Sequence, residues 1–156
     1  MAEVTYPSLY AVPQQAQQYS SSNTNLGLTT PDPPSNTIVG SGKAGEALEA
    51  CRACRFNSSG QVFKSSGAAA DANAVVDGWT MRPYAIGATV SLYTNVSIGY
   101  GTAIVSGQFY YLSGTVPGGI ATTASTGGTV PIARGVPDNS VGGQTKVPRL
   151  RVRSSW

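Results

Sequence analysis

Histidine is absent from the chain. That removes the commonest general base, the usual base of a nucleophilic triad and the commonest metal ligand. The acids are few (Glu3, Asp32, Glu46, Glu49, Asp71, Asp77 and Asp138), and no pair of them stands in a recognisable catalytic motif. An enzyme is therefore not expected, and no cofactor is implied. Charged residues make up only 11% of the chain, against about 25% in an average soluble domain. Long surface helices, which usually carry many Glu and Lys, do not fit that composition. Long apolar runs are missing too. None approaches the roughly 20 residues that span a bilayer, so no membrane is expected among the partners. The start, Met1-Ala2-Glu3-Val4-Thr5, has no basic patch followed by an apolar run; no secretory signal is expected, and the intact Met1 suggests an unprocessed product.

Gly, Ser, Thr, Ala and Val fill the space that charge leaves, and they favour turns and short strands. The 156 residues suffice for one ordinary domain with some chain left over. A weakly charged surface is weakly solvated, which suits a subunit held in an assembly. The net charge of +3 is uneven: Lys146, Arg149, Arg151 and Arg153 stand in the last eleven residues with no acid among them. This basic stripe suits either a nucleic acid or an acidic protein surface, or is simply a solvated strand face.

Two regions differ in composition. Residues 1–36 contain Gln14-Gln15, Gln17-Gln18, Ser20-Ser21-Ser22 and Pro31-Asp32-Pro33-Pro34, with no lasting apolar period. Such a segment buries too little surface to offset its ordering entropy, so an extended N-terminal arm is expected. Yet Tyr6, Leu9, Tyr10, Val12 and Tyr19 are too apolar for a mere spacer. They suggest an arm that orders on a partner.

Residues 37–156 read as the β-rich domain. Strands are expected at Thr37-Ile38-Val39, on both sides of the hairpin turn Ser58-Ser59-Gly60, and over 74–80, 89–94, 108–112, 130–136 and 146–153. Short helical turns are expected over 44–53, with Ala47, Leu48 and Cys51 on one side, and over the alanine-rich 67–74. The last strand alternates, with Leu150 and Val152 on one face and Arg149, Arg151 and Arg153 on the other. Short strands joined by Gly-rich turns make the fold class mainly β, a small barrel- or sandwich-like domain.

Three motifs invite chemistry and fail on context. Cys51-Arg52-Ala53-Cys54 is a CxxC, but no thioredoxin-like βαβ unit surrounds it, and two cysteines without histidine cannot close a structural zinc site within one chain. Two buried, apolar cysteines are expected and no metal. Gly40-Ser41-Gly42-Lys43-Ala44-Gly45 matches G-x-G-x-x-G by letter, but lacks the following helix and second strand that a dinucleotide turn requires. It also fails as a phosphate-binding P-loop, with Ala44 where a magnesium-binding hydroxyl belongs. Asn57-Ser58-Ser59 and Asn95-Val96-Ser97 are glycosylation triplets in a chain with no sign of secretion.

One succession of short pieces carries a resemblance. Ala44-Gly45-Glu46-Ala47-Leu48 is followed by Gly60-Gln61-Val62-Phe63-Lys64 and by an Ala-rich stretch ending in Val76-Asp77-Gly78-Trp79. Then come Gly87-Ala88-Thr89-Val90-Ser91-Leu92-Tyr93, Gly107-Gln108-Phe109-Tyr110-Tyr111-Leu112-Ser113, Pro117-Gly118-Gly119-Ile120 and Pro131-Ile132-Ala133-Arg134-Gly135-Val136. In order and spacing, over about residues 40–153, this resembles the capsid cement, or head decoration, proteins of tailed bacteriophages. The resemblance implies a small β-rich fold, commonly a homotrimer. It implies a place on the outer surface of the phage head where major capsid proteins meet, and the task of clamping the expanded shell. No specific nucleic acid is implied. Capsid contacts are expected in the arm, at Tyr6, Leu9, Tyr10 and Tyr19. The alternative is a receptor- or carbohydrate-binding module of a phage tail or cell surface, with Trp79, Tyr84, Tyr93 and Tyr100 as exposed aromatics lining a sugar site.

Overall fold

A computed structural model describes residues 37–101, 103–137 and 148–155. The chain is mainly β. Strands β1 (Ile38–Ala44), β2 (Ala53–Phe56), β3 (Gln61–Lys64), β4 (Gly78–Trp79) and β5 (Thr89–Tyr93) close a barrel in the order β1-β3-β2-β4-β5. Strands β6 (Val96–Ile98), β7 (Phe109–Leu112), β8 (Ile120–Ala121), β9 (Pro131–Val136) and β10 (Arg149–Val152) form a second sheet, ordered β6-β10-β9-β7-β8. Every pairing in that sheet is antiparallel. The barrel contains one parallel pair, β1 with β3.

The alternation in sequence chooses which side chains enter the core. In β5, Val90 and Leu92 point into the barrel, where they meet Ala44, Leu48, Cys54 and Val62. In β10, Leu150 and Val152 point inward, opposite Ile98 and Val96 of β6 and Gly135 and Ala133 of β9. These join Tyr110, Leu112 and Ile132 in a larger core, which also takes in Trp79, Met81 and Tyr93 from the barrel side. Trp79 is the joint between the two sheets. It is fully buried, lies opposite Ala53 and Tyr93 in the barrel, and its Nε1 donates to the Arg153 carbonyl at 2.9 Å.

The chain crosses from barrel to sheet in two residues, Thr94 and Asn95. Asn95 adopts a left-handed φ of 57°, which asparagine tolerates better than most residues, and its N–H donates to the Val152 carbonyl at 2.9 Å. Tight packing fixes one glycine in particular. A Cβ on Gly135 would lie 1.9 Å from the Val105 carbonyl oxygen, so β9 and the loop before β7 approach closely only without a side chain.

Several expectations need correction. Residues 44–53 do not form a helical turn. Leu48 makes an antiparallel bridge with Tyr84, each N–H donating to the other's carbonyl, and Cys51 takes a φ of 61° that no helix continues. Burial of Leu48 in the barrel outweighs the helix propensity of the local alanines. Of the stretch 67–74, only Ala72–Ala74 is helical, a single 3-10 turn whose Asp71 side chain accepts from the Asn73 N–H. The strand expected over 74–80 contracts to Gly78–Trp79, and the one expected at 37–39 runs on to Ala44.

Candidate interaction surfaces

The residues that invited chemistry take structural places. The glycine-rich Gly40–Gly45 string is not a phosphate cradle, because it lies mostly within β1, and a Cβ at Gly42 would meet the Gly60 carbonyl oxygen at 2.1 Å. Cys51 and Cys54 are both free and buried, and they belong to different cores: Cys51 to the larger one, Cys54 to the barrel interior. Burial pushes the Cys51 thiol up to about 12, against a smaller opposing pull from Arg52. Burial raises Cys54 further, helped by the negative charge of Glu46. Both are therefore neutral thiols near pH 7, packed as small apolar groups. Among the described residues, no group of three or more His, Cys, Asp or Glu stands close enough to hold a metal ion. No helix among them is long and apolar enough to cross a membrane.

The two glycosylation triplets also have local structural roles. Asn57 closes the β2–β3 hairpin, its Oδ1 accepting from the N–H groups of Ser59 at 3.0 Å and Gln61 at 2.8 Å. Asn95 makes the crossing already described. The barrel's acids are likewise engaged locally. Glu49 pairs with both Arg52 and Lys64, Glu46 accepts from the Lys64 N–H, and Asp77 accepts from the Phe56 N–H.

The sugar-site expectation requires correction at its residues. Trp79, Tyr93 and Tyr100 are 0%, 2% and 1% exposed, and Tyr84 is half-buried against the barrel core. Trp79, Tyr93 and Tyr100 pack inside the larger core and line no open surface. The arm residues Tyr6, Leu9, Tyr10 and Tyr19 lie outside the described residues, as does Lys146 of the basic stripe.

Two surface features remain. One is a shallow, open depression of about 350 Å³ beside the larger core, where the exposed Val75 and Val130 flank Leu112, Ile132, Ser154 and Ser155. The other is the outer face of the second sheet. Register places Ser97, Arg151, Arg134 and Phe109 in one row across β6, β10, β9 and β7. Arg149 and Tyr111 lie on the same face, at Val136 and Pro131 respectively. The Arg134 guanidinium lies over the Phe109 ring, 5.0 Å from its centroid. The Arg149 guanidinium donates to the Ser97 carbonyl. The alternation of β10 predicts Arg149 and Arg151 on this face. Arg134 and Phe109 were missed as its members; the local signal was Arg134 standing between the small, inward Ala133 and Gly135. Comparison with protein families, with curated proteins and with solved structures finds no match for this chain.

Proposed function

We propose that this chain is a capsid cement protein, which binds the outside of a phage head where major capsid proteins meet and stabilises the expanded shell. The observation that carries the reading is the ordered succession of short motifs from Ala44 to Val136. Four of its seven pieces form a turn leading into a strand: Gly60 into β3, Gly87 into β5, Gly107 into β7 and Gly118 into β8. A resemblance that falls on turn–strand junctions follows the elements that set a β fold, rather than its variable loops. Three pieces depart from this: Ala44 ends a strand instead of opening one, Val76-Asp77 enters β4 without a turn, and Pro131–Val136 is itself a strand.

A clamp of this kind works by multivalency. Packaged DNA pushes outward on a shell whose single contacts are modest. A trimer that bridges several subunits turns successive contacts into intramolecular ones, so its avidity exceeds any one of them. The arm of residues 1–36 adds reach: extended, about 30 residues span on the order of 100 Å. Tyr6, Leu9, Tyr10 and Tyr19 supply contact area with few rotatable bonds. Extended pieces such as Val4-Thr5-Tyr6 can add a strand to an exposed capsid sheet edge.

The test is addition of purified protein to expanded heads that lack it. The full chain is expected to decorate and stabilise them, and to scatter light in solution with a mass near three chains. A truncation starting at Ser35 is expected to fold and keep its oligomeric state but to bind heads far more weakly. Failure of the full chain to bind any expanded head sinks the reading. Equal decoration by the truncated chain moves the grip from the arm to the β-rich body.

A further inference from the structure

The outer face of the five-stranded sheet is positively charged, and no acid stands in its described strands. Residues 94–155 contain Arg134, Lys146, Arg149, Arg151 and Arg153 against a single acid, Asp138. The salt bridges that Glu49 makes to Arg52 and Lys64 lie on the barrel instead. Arg151 and Arg134 face each other directly across β10 and β9. Like charges in that relation destabilise a sheet. The Arg149 guanidinium is partly buried and is held by the Ser97 carbonyl. Left in water, the row costs stability and carries no catalytic group.

We propose that this face is a docking surface for an acidic protein surface, one that presents Asp and Glu side chains to the row Arg151–Arg134 and to Arg149. Three observations favour a protein over a nucleic acid. The described cations of the face are all arginines, which are enriched at protein interfaces where lysine is depleted; their planar forks pair with carboxylates, as with phosphates, in two parallel hydrogen bonds. The aromatic residues are not open stacking platforms: Phe109 is covered by Arg134, and Tyr111 is half-buried. The positive charge is confined to a few guanidinium groups on a sheet, whereas non-specific nucleic-acid binding draws on many phosphate contacts. The side chains are also partly pre-arranged, Arg134 by the Phe109 ring and Arg149 by the Ser97 carbonyl, which lowers the entropy lost on docking. This inference does not rest on the capsid reading, since it concerns the chemistry of the face itself.

Fluorescence anisotropy of the full chain tests it, with labelled poly-L-glutamate and a labelled short DNA duplex as probes. Poly-L-glutamate is expected to bind, more weakly as salt rises, and better than the duplex. The double substitution Arg134→Gln and Arg151→Gln is expected to weaken that binding about tenfold or more. Arg82→Gln, which removes one positive charge from an exposed site outside this sheet, is expected to leave it nearly unchanged. Arg134→Lys with Arg151→Lys keeps the charge and guards against a glutamine variant that fails to fold. It is expected to bind with intermediate affinity, because an ammonium cannot fork. The proposal is overturned if the folded glutamine variant binds poly-L-glutamate as well as the wild type. It is overturned equally if Arg82→Gln costs as much, or if the lysine variant binds at full strength. Tighter binding of the duplex, lost with the same arginines, would make the face a nucleic-acid surface instead.

Discussion

The barrel and the five-stranded sheet are built from similar short strands, yet they treat charge in opposite ways. In the barrel, Glu46, Glu49 and Asp77 are bonded to Lys64, Arg52 and the Phe56 backbone, so charge is spent on holding β2, β3 and the loop before β2 in place. In the sheet, arginines stand opposite one another on the outer face, and the inner face is almost wholly apolar. These acids therefore pair within the barrel, whereas the described strands of the sheet carry arginines and no acid. Trp79 belongs to both, through its barrel neighbours and its bond to Arg153.

Breaking the joint should therefore produce the largest effect. Trp79→Ala is expected to cost about 3–5 kcal/mol of folding stability in a urea or guanidinium titration. Trp79→Phe, which keeps most of the ring but leaves the Arg153 carbonyl without its donor, should cost roughly 1–3 kcal/mol. If the barrel and sheet were instead independent, Trp79→Ala would yield two separated unfolding transitions rather than one shifted transition. Next in size is Gly135→Ala. The new methyl would press on the Val105 backbone, and a loss of about 2–4 kcal/mol is expected, with the strain confined to the sheet.

The legible part of this architecture is the part set by local pattern. Alternation exposes β5, β7 and β10, and the β2–β3 hairpin is readable from its turn residues Ser58-Ser59-Gly60. The strands β6 and β8 were not, because three and two residues carry no period and are strands only through their partners. The alanine-rich stretches read as helical because propensity is local, whereas the Leu48–Tyr84 bridge joins residues far apart in sequence. The arginine face was half visible. Arg149 and Arg151 alternate with buried neighbours in β10, but the meeting of Arg151 with Arg134 and Phe109 depends on register across three strands. The burial of Trp79, Tyr93 and Tyr100 was misread because aromatic residue type alone does not distinguish a core from a sugar platform.

The cysteines sharpen the comparison at intermediate size, since each sits in a different core. Replacing Cys51 and Cys54 together with Ala is expected to cost about 1–3 kcal/mol and to leave binding to expanded heads largely intact. Both thiols titrate higher in the folded chain than the ordinary value of 9.0, Cys51 at about 12. The unfolded chain thus loses its thiol protons first as pH rises. The cysteines' contribution is fully present below about pH 9 and declines from there through pH 12. A stability profile over that range should fall less steeply in the double alanine variant than in the wild type. Equal slopes would show that the thiols titrate alike in the folded and unfolded chains.

The smallest effects separate the two regions by sign. Glu49→Gln removes the carboxylate that Arg52 and Lys64 share, and should cost about 0.2–1 kcal/mol. Arg151→Gln relieves its opposition to Arg134 and should raise stability by roughly 0.2–0.5 kcal/mol, a gain that shrinks with added salt. Two losses, or two gains, would erase the contrast between the paired charges of the barrel and the facing arginines of the sheet.

The indole bond to Arg153 also makes the molecule its own optical sensor. The chain has two tryptophans, Trp79 and Trp156, so a Trp156→Phe variant leaves a single indole emitter, excited selectively at wavelengths that tyrosine does not absorb. That emitter is sealed from water and hydrogen-bonded to the residue just after β10, the strand that bears Arg149 and Arg151. Any ligand that shifts β10 alters the polarity and hydrogen bonding around the indole. Emission wavelength and quenching by iodide can then report occupancy of the outer face without an attached dye.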